Sequence, residues 1–95
     1  MEILVEIEDR RPPGDATERD AEFMARARQR SADLAEQGYL KASWRIPATR
    51  CRLTLWDVSD LSELHRLLLS LPGIHHTEVR VRPIAPRGNP GHAAN

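Results

Sequence analysis

Residues 38–72, GYLKASWRIPATRCRLTLWDVSDLSELHRLLLSLP, contain two strand patterns followed by a helix pattern, and this order decides the fold. Apolar and polar side chains alternate over residues 39–46 and again over residues 50–58, as they do in strands that have one covered face. The connection between the two strands is short and contains Pro47, which predicts an antiparallel hairpin. Leucines then recur at helical spacing over residues 61–71, which predicts an amphipathic helix.

The flanking sequence adds a strand and a helix on the N-terminal side and a strand on the C-terminal side. Residues 2–8 alternate as a strand, and residues 16–37 are rich in helix-forming residues up to Gly38, a typical helix terminator. Residues 78–84 alternate again, with Pro83 indicating an edge strand or the end of a strand. The order βαββαβ predicts a ferredoxin-like α+β fold, in which a four-stranded antiparallel sheet carries both helices on one face.

Length and tail composition predict a single ferredoxin-like domain. Residues 1–84 carry every strand and helix pattern, whereas residues 85–95 form a tail that contains Pro and Gly and that we expect to be disordered unless a neighbouring chain orders it. A chain of this size buries only roughly 60 to 65 % of the surface that its unfolded form exposes. A partner subunit that adds buried surface is therefore expected.

Charge and cysteine content indicate the class of partner and the compartment. The 14 basic and 14 acidic residues give a formal net charge of zero, which argues against nucleic acid and against an anionic membrane. A small ligand or a protein partner is expected instead. Cys51 is the single cysteine, which suits a reducing compartment. With no signal peptide and no stretch of about 20 apolar residues, the sequence predicts a cytoplasmic protein.

Strand alternation also predicts which side chains face the helices. Ile3 and Val5 are assigned to the helix-covered face, together with Trp44 and Leu53. The opposite face is predicted to hold a mixed set of polar, charged and apolar residues: Leu4, Glu6, Ser43, Arg45, Arg52, Thr54, Trp56, Arg80 and Arg82. Such a face does not make a dry core, and a second sheet packed across it would enclose a polar cavity. Trp56 is expected either in the wall of that cavity or in packing.

The chain resembles the muconolactone isomerase family at Trp44-Arg45-Ile46, Asp57-Val58, Glu63-Leu64-His65 and Leu71-Pro72, which occur in the order and spacing of that family. The N-terminal strand, the Pro-containing loop after it and the long charged helix that ends before Gly38 also match. The resemblance implies a dimeric α+β barrel that assembles further into a decamer, with a pocket between the sheet and the helices. It also implies an enzyme of aromatic catabolism that shifts a proton within a small unsaturated lactone bearing a carboxylate, without a metal or an organic cofactor.

A substrate carboxylate needs a cation, and Arg45 is the first candidate because its planar guanidinium binds two oxygens at once. Arg52 is a weaker candidate for substrate binding, and Trp56 is a candidate for the wall beside the substrate. The structural alternative for Arg45 is a salt bridge with Glu6.

Proton transfer needs an acid or a base whose pKa lies near the working pH. Glu6, Glu22 and His65 are the candidates for this catalytic role. The alternatives are a salt bridge with an arginine for Glu6, and a structural or interface role for His65 beside the leucines of its helix. The resemblance implies an acidic residue on the first helix where this chain has Ala27. It also implies an aromatic-rich run where this chain has GIHHT at residues 73–77.

Two functions therefore stay open. The first is isomerisation of an unsaturated carboxylate lactone, with Arg45 as the anchor. The second is a non-catalytic or repurposed barrel that binds a small carboxylate or mediates assembly. A nucleic-acid-binding domain ranks last, because the chain lacks a net positive charge and lacks paired exposed aromatic residues on the central strands.

Overall fold

The computed structural model describes residues 1–11 and 18–84 of the chain, and the side chains of residues 18–20 are not described. Its elements, in chain order, are β1 (Glu2–Asp9), α1 (Glu18–Glu36), β2 (Leu40–Arg45), β3 (Cys51–Asp57), α2 (Leu61–Leu69), a short 3-10 helix (Ile74–His76) and β4 (Thr77–Pro83). The predicted start of the first helix at Ala16 and the predicted tail at residues 85–95 lie outside the described residues.

The four strands form one antiparallel sheet in the order β2-β3-β1-β4. This order and the βαββαβ sequence of elements confirm the predicted ferredoxin-like fold. β4 lies at an edge of the sheet and ends at Pro83, where a residue without a backbone donor disturbs the ladder least.

Local hydrogen bonds and a glycine mark the start of α2 and the end of α1. The Oδ1 atom of Asp60 accepts a hydrogen bond from the backbone N–H of Glu63 at 2.8 Å, and Oε1 of Glu63 accepts one from the backbone N–H of Ser59 at 2.8 Å. The two bonds satisfy donors that the first turn of α2 leaves unpaired. Gly38 follows α1 with φ 88°, a left-handed conformation that glycine adopts without steric cost.

The hydrophobic core lies between the helices and one face of the sheet, which we call the inner face. Its buried members come from the sheet, from both helices and from the segments that follow β3 and α2: Ile3, Val5, Ile7, Leu34, Trp56, Val58, Leu64, Leu67, Leu68, Leu71 and Ile74. Thr54 is buried among them, and its hydroxyl donates to the carbonyl oxygen of Val5 at 2.8 Å. The same hydroxyl oxygen accepts a hydrogen bond from Nε1 of Trp56 at 2.7 Å, so the polar atoms of both side chains are satisfied inside the core.

The register of β2 and β3 corrects the predicted faces of these strands. Ile3 lies opposite Trp56, Val5 opposite Thr54 and Ile7 opposite Arg52, and residues directly opposite in an antiparallel ladder share a face. The prediction that Ser43, Arg45, Arg52, Thr54 and Trp56 lie away from the helices was therefore wrong, because all five lie on the inner face.

The face away from the helices, which we call the outer face, holds the side chains that the prediction had turned inward on these two strands. Trp44 lies opposite Leu53 in the ladder and is 48 % exposed, so its assignment to the core was wrong. The physical reason is that β3 is apolar on both faces, with Leu53 and Leu55 on one side and Trp56 on the other. Alternation alone does not show which face of such a strand is covered by the helices. The register of its pairing with β1 determines that face.

Candidate functional site

A cleft of about 580 Å³ opens between α1 and one end of the inner face. The main residues of its wall come from the ends of three strands, from α1 and from the turn after α2: Ile7, Asp9, Ser43, Arg45, Arg52, Phe23, Met24, Ala27, Arg28, Pro72 and Gly73. A volume of this size falls in the range of roughly 300 to 1,000 Å³ that is typical of small-molecule sites. The inner face thus consists of a packed end and an open end.

β3 shows this division along its length. Trp56 and Thr54 are buried in the core, whereas Arg52, two residues earlier on the same face, is only partly buried and lines the cleft. Because alternate residues of a strand point the same way, the strand leads from the core directly into the cleft.

Arg45 and Arg52 lie directly opposite each other where β2 and β3 line the cleft. Opposite residues have Cβ atoms about 4.5 to 5.5 Å apart, so two positive charges share a small region of the wall. In the described part of the chain neither guanidinium makes a hydrogen bond or an ion pair. Burial lowers the pKa of Arg52 below its usual value, although an arginine stays protonated at neutral pH. The pair is a cationic site whose counterion the described residues do not provide.

Asp9 provides negative charge at another part of the cleft wall. It is the single carboxylate among the cleft-lining residues that the structure describes, and its Oδ2 lies 3.2 Å from Nη2 of Arg11 and 3.5 Å from Nη2 of Arg50. Partial burial acts to raise the pKa of Asp9, but hydrogen bonds from Arg11 outweigh this effect and the pKa is lowered. Asp9 is therefore an ionised partner of two arginines at neutral pH.

Phe23 of α1 packs against Gly73 in the turn that follows α2. A Cβ atom at position 73 would lie 2.1 Å from Cζ of Phe23, and Gly73 has φ 76°, so both the space and the backbone conformation require glycine. The guanidinium carbon of Arg11 lies 5.3 Å from the centre of the Phe23 ring, within the range of a cation–π contact. An aromatic wall is thus provided by α1, in a chain whose 73–77 segment has no aromatic residue other than histidine.

The comparison with known proteins agrees with this architecture. Residues 1–89 match the model of the muconolactone delta-isomerase family. The chain belongs to this family. A muconolactone delta-isomerase of Rhodococcus opacus is 28 % identical over 68 residues, which are 72 % of this chain and 73 % of the relative. A crystal structure of muconolactone isomerase is 20 % identical, covers 97 % of this chain and 96 % of its own chain, and has a TM-score of 0.85. That structural match shows the shared fold.

In this family member the structure brings the two predicted substrate-binding arginines together at one cleft. Trp56, the third predicted substrate-binding residue, is 1 % exposed in the core and does not line the cleft. The reason is that Trp56 lies opposite Ile3, under the helices, at the other end of β3 from Arg52.

The three candidates for proton transfer lie elsewhere on the chain. Glu6 points from the outer face and its Oε2 accepts a hydrogen bond from Nη1 of Arg80 at 2.7 Å, so the predicted alternative of a Glu6–Arg45 salt bridge does not form. Glu22 on α1 and His65 on α2 are exposed and do not line the cleft. Their catalytic roles stay predictions.

Ala27 lines the cleft at the position where the family resemblance implied an acid. Sequence reasoning did not find Asp9, Arg28 or Phe23 as parts of this wall. A signal was present for Phe23, which lies four residues before Ala27 and so on the same face of α1, whereas Asp9 reaches the cleft only through the tertiary fold.

Within residues 1–11 and 18–84 the protein has neither a cluster of potential metal ligands nor a helix that could span a membrane. No three His, Cys, Asp or Glu side chains there come together as potential metal ligands. No helix in these ranges is long and apolar enough to cross a membrane.

Proposed function

We propose that the cleft binds a small unsaturated lactone through its carboxylate and shifts a proton within the lactone, as a step of aromatic catabolism in the cytoplasm. The observation that carries this proposal is the Arg45–Arg52 pair. Like charges directly opposite in a sheet destabilise it, and a carboxylate that accepts hydrogen bonds from both guanidinium groups removes the repulsion. The anion that completes the site is therefore the substrate.

The proton shift needs no atom from outside the substrate. A base removes a proton from the carbon next to the double bond, the negative charge spreads over the conjugated lactone, and a proton returns at another carbon of the same system. Asp9 is the single carboxylate of the described cleft lining, and its lowered pKa makes it a weak base, while Arg45 and Arg52 hold the substrate carboxylate. Glu6, Glu22 and His65 take part only where a neighbouring subunit places them at the cleft.

The experiment is an ultraviolet assay of the purified protein with muconolactone. A charged hydrogen bond is worth about 1.5 to 3 kcal/mol, so Arg45→Ala and Arg52→Ala should each lower kcat/KM by roughly 10-fold to 150-fold. Arg26→Ala is the matched control, because Arg26 is an exposed arginine of α1 that does not line the cleft, and it should leave the rate unchanged. Absence of turnover at high enzyme concentration contradicts the isomerase proposal.

Ala27 favours a second candidate function, a non-catalytic member of the family that binds a small carboxylate. A methyl group at this part of the cleft provides no proton-transfer group. In that case muconolactone should raise the melting temperature of the protein without being consumed, and Arg52→Ala should abolish the shift. Turnover of the lactone contradicts this candidate.

The outer face supports a dimer of the barrel type that the family resemblance implies. Trp44 is 48 % exposed on this face, and the neighbouring Leu53 and Leu55 are only partly buried. Covering these side chains with the same face of a second copy would remove apolar surface from water. Sedimentation should show at least a dimer for the wild type and a smaller species for Trp44→Glu. A monomeric wild type contradicts the proposal.

A further inference from the structure

The charges along the cleft are strongly unbalanced. Five arginines line it, and they lie on both of its walls: Arg11, Arg28, Arg45, Arg50 and Arg52. Against them the described lining has one carboxylate, that of Asp9. Within the described lining, five arginines against one aspartate leave four more positive than negative groups, although the whole chain has a formal charge of zero.

Asp9 compensates only one part of this excess. Its carboxylate lies within 3.5 Å of both Arg11 and Arg50, so these two arginines have a partner in the chain itself. Arg45 and Arg52 form the cross-strand pair described above, which a single carboxylate can bridge. After this assignment Arg28 is the cleft arginine that has no anionic partner, neither among the described residues nor in a single bound carboxylate.

Arg28 lies on α1, across the cleft from the sheet. In the described part of the chain it makes no hydrogen bond and no ion pair. Its neighbours on the helix behave differently, since Gln29 donates to Asp33 at 2.9 Å and Arg30 donates to the hydroxyl of Ser70 at 3.0 Å. Arg26 of the same helix also has no partner within the described ranges, so what distinguishes Arg28 is its position in the cleft wall, facing the arginines of the sheet.

We infer that the substrate carries two anionic groups, one bound between Arg45 and Arg52 on the sheet and the other bound by Arg28 on α1. This inference rests on the proposed function and specifies the substrate class as a dicarboxylate lactone or a closely related diacid. A monocarboxylate compensates the cross-strand pair alone. A ligand that spans the cleft with a carboxylate at each end compensates the arginines of both walls.

The test compares probes that differ in the number of carboxylates. Butyrate and glutarate are one matched pair, and muconolactone and the same lactone with an additional ring carboxylate are the other. Titration calorimetry at low ionic strength should give about 10-fold or tighter binding for the diacid of each pair, since the second carboxylate adds a charge-assisted hydrogen bond. Because salt screens exposed charges, the preference should decrease as salt is added.

Substitutions on α1 locate the second carboxylate. Arg28→Gln should bring the ratio of diacid to monoacid affinity close to one. Arg26→Gln is the matched control, because Arg26 is an exposed arginine of the same helix that does not line the cleft, and it should keep the wild-type ratio. Arg45→Gln should weaken the binding of both acids.

The possible failures are distinguishable. If muconolactone is bound and isomerised but the diacids bind no more tightly than their monoacids, the dicarboxylate inference is overturned and the proposed function stands. If the diacids are preferred and Arg28→Gln keeps that preference, the assignment to Arg28 is overturned. If none of the four probes binds and muconolactone is not turned over, the proposed function itself is wrong.

Discussion

The two faces of the sheet use arginine in opposite ways. On the outer face Arg80 lies within 3.2 Å of carboxylate oxygens of Glu6, Glu8 and Glu78, and its hydrogen bond with Glu8 and the charge of Glu78 raise its pKa. On the inner face burial lowers the pKa of Arg52, and no carboxylate of the described chain lies beside it. The chain therefore neutralises its own arginine on one face, whereas on the other face the described residues offer Arg52 no carboxylate partner.

The tryptophans follow the same division. Trp56 on the inner face is buried, with its N–H hydrogen-bonded to Thr54, whereas Trp44 on the outer face is half-exposed. One face thus contributes most of the stability of the single chain. The other presents apolar surface and saturated charges, which suits contact with a second subunit.

The largest effect is expected from replacing the two tryptophans in turn. Trp56→Ala should lower the free energy of unfolding by about 3 to 5 kcal/mol, because it leaves a cavity in the core and leaves Thr54 without its donor. Trp44→Ala, at a half-exposed position, should cost less than about 1 kcal/mol in the monomer. Urea denaturation of both variants at low protein concentration measures the difference. Equal losses would contradict the register of β3.

The next largest loss of stability is expected where the Phe23 ring packs against Gly73. Gly73→Ala should cost about 2 to 3 kcal/mol, because the new Cβ collides with the Phe23 ring and the residue stays in a left-handed conformation. Gly38→Ala is the matched control, since Gly38 has a similar φ but no atom within 4 Å of the added Cβ, and it should cost only about 1 kcal/mol. Thermal denaturation compares the two variants, and a loss for Gly73→Ala no larger than for Gly38→Ala contradicts the packing of Phe23 on Gly73.

Removing an arginine should change the free energy of unfolding by a smaller amount, and in opposite directions on the two faces of the sheet. Arg52→Gln should raise the free energy of unfolding by up to about 1 kcal/mol, because it removes the like charge opposite Arg45. Arg80→Gln should lower that free energy, because three glutamates then lie together without their shared cation. Denaturation in urea measures both. A loss of stability for Arg52→Gln would indicate that the chain does compensate this charge.

The smallest effect is expected in acid. The pKa of Asp9 is lower in the folded protein than its unfolded value of about 3.9. Its contribution to stability is therefore complete above pH 4 to 5 and is lost as the pH falls through the folded pKa. Asp9→Asn should flatten the fall of stability below about pH 5. A variant with the same acid profile as the wild type would show that Arg11 and Arg50 do not favour the ionised form.

The sequence predicts the elements of this protein well and the faces of its strands only in part. Strand β1 has branched apolar residues on one side and glutamates at three of the four alternate positions, and its inner face was predicted correctly. Strand β4 was also assigned correctly, with Arg80 and Arg82 on the outer face. In β3 the apolar residues Leu53, Leu55 and Trp56 occupy both faces, and in β2 an irregularity between Leu40 and Ala42 shifts the register. One shift of this kind exchanges the two faces of a strand.

The candidate site shows the same limit. Arg45 and Arg52 were predicted as substrate-binding residues from their chemistry and from the family resemblance, and the structure places both at the cleft. Asp9 is far from them in the chain, so no local pattern connects it to the site. Glu6 has the right chemistry for proton transfer, but the parity of β1 turns it to the face away from the cleft.

The sequence by itself determined the order of strands and helices, the cap of α2, the glycine after α1 and the membership of a family. These features depend on residues close to one another in the chain, and local propensity and spacing are sufficient for them. Only the tertiary structure decided that the arginines of β2 and β3 face the helices, and that among the described residues five arginines and one aspartate line a single cleft. That decision depends on the register between strands distant in the chain, where a shift of one residue reverses every side chain.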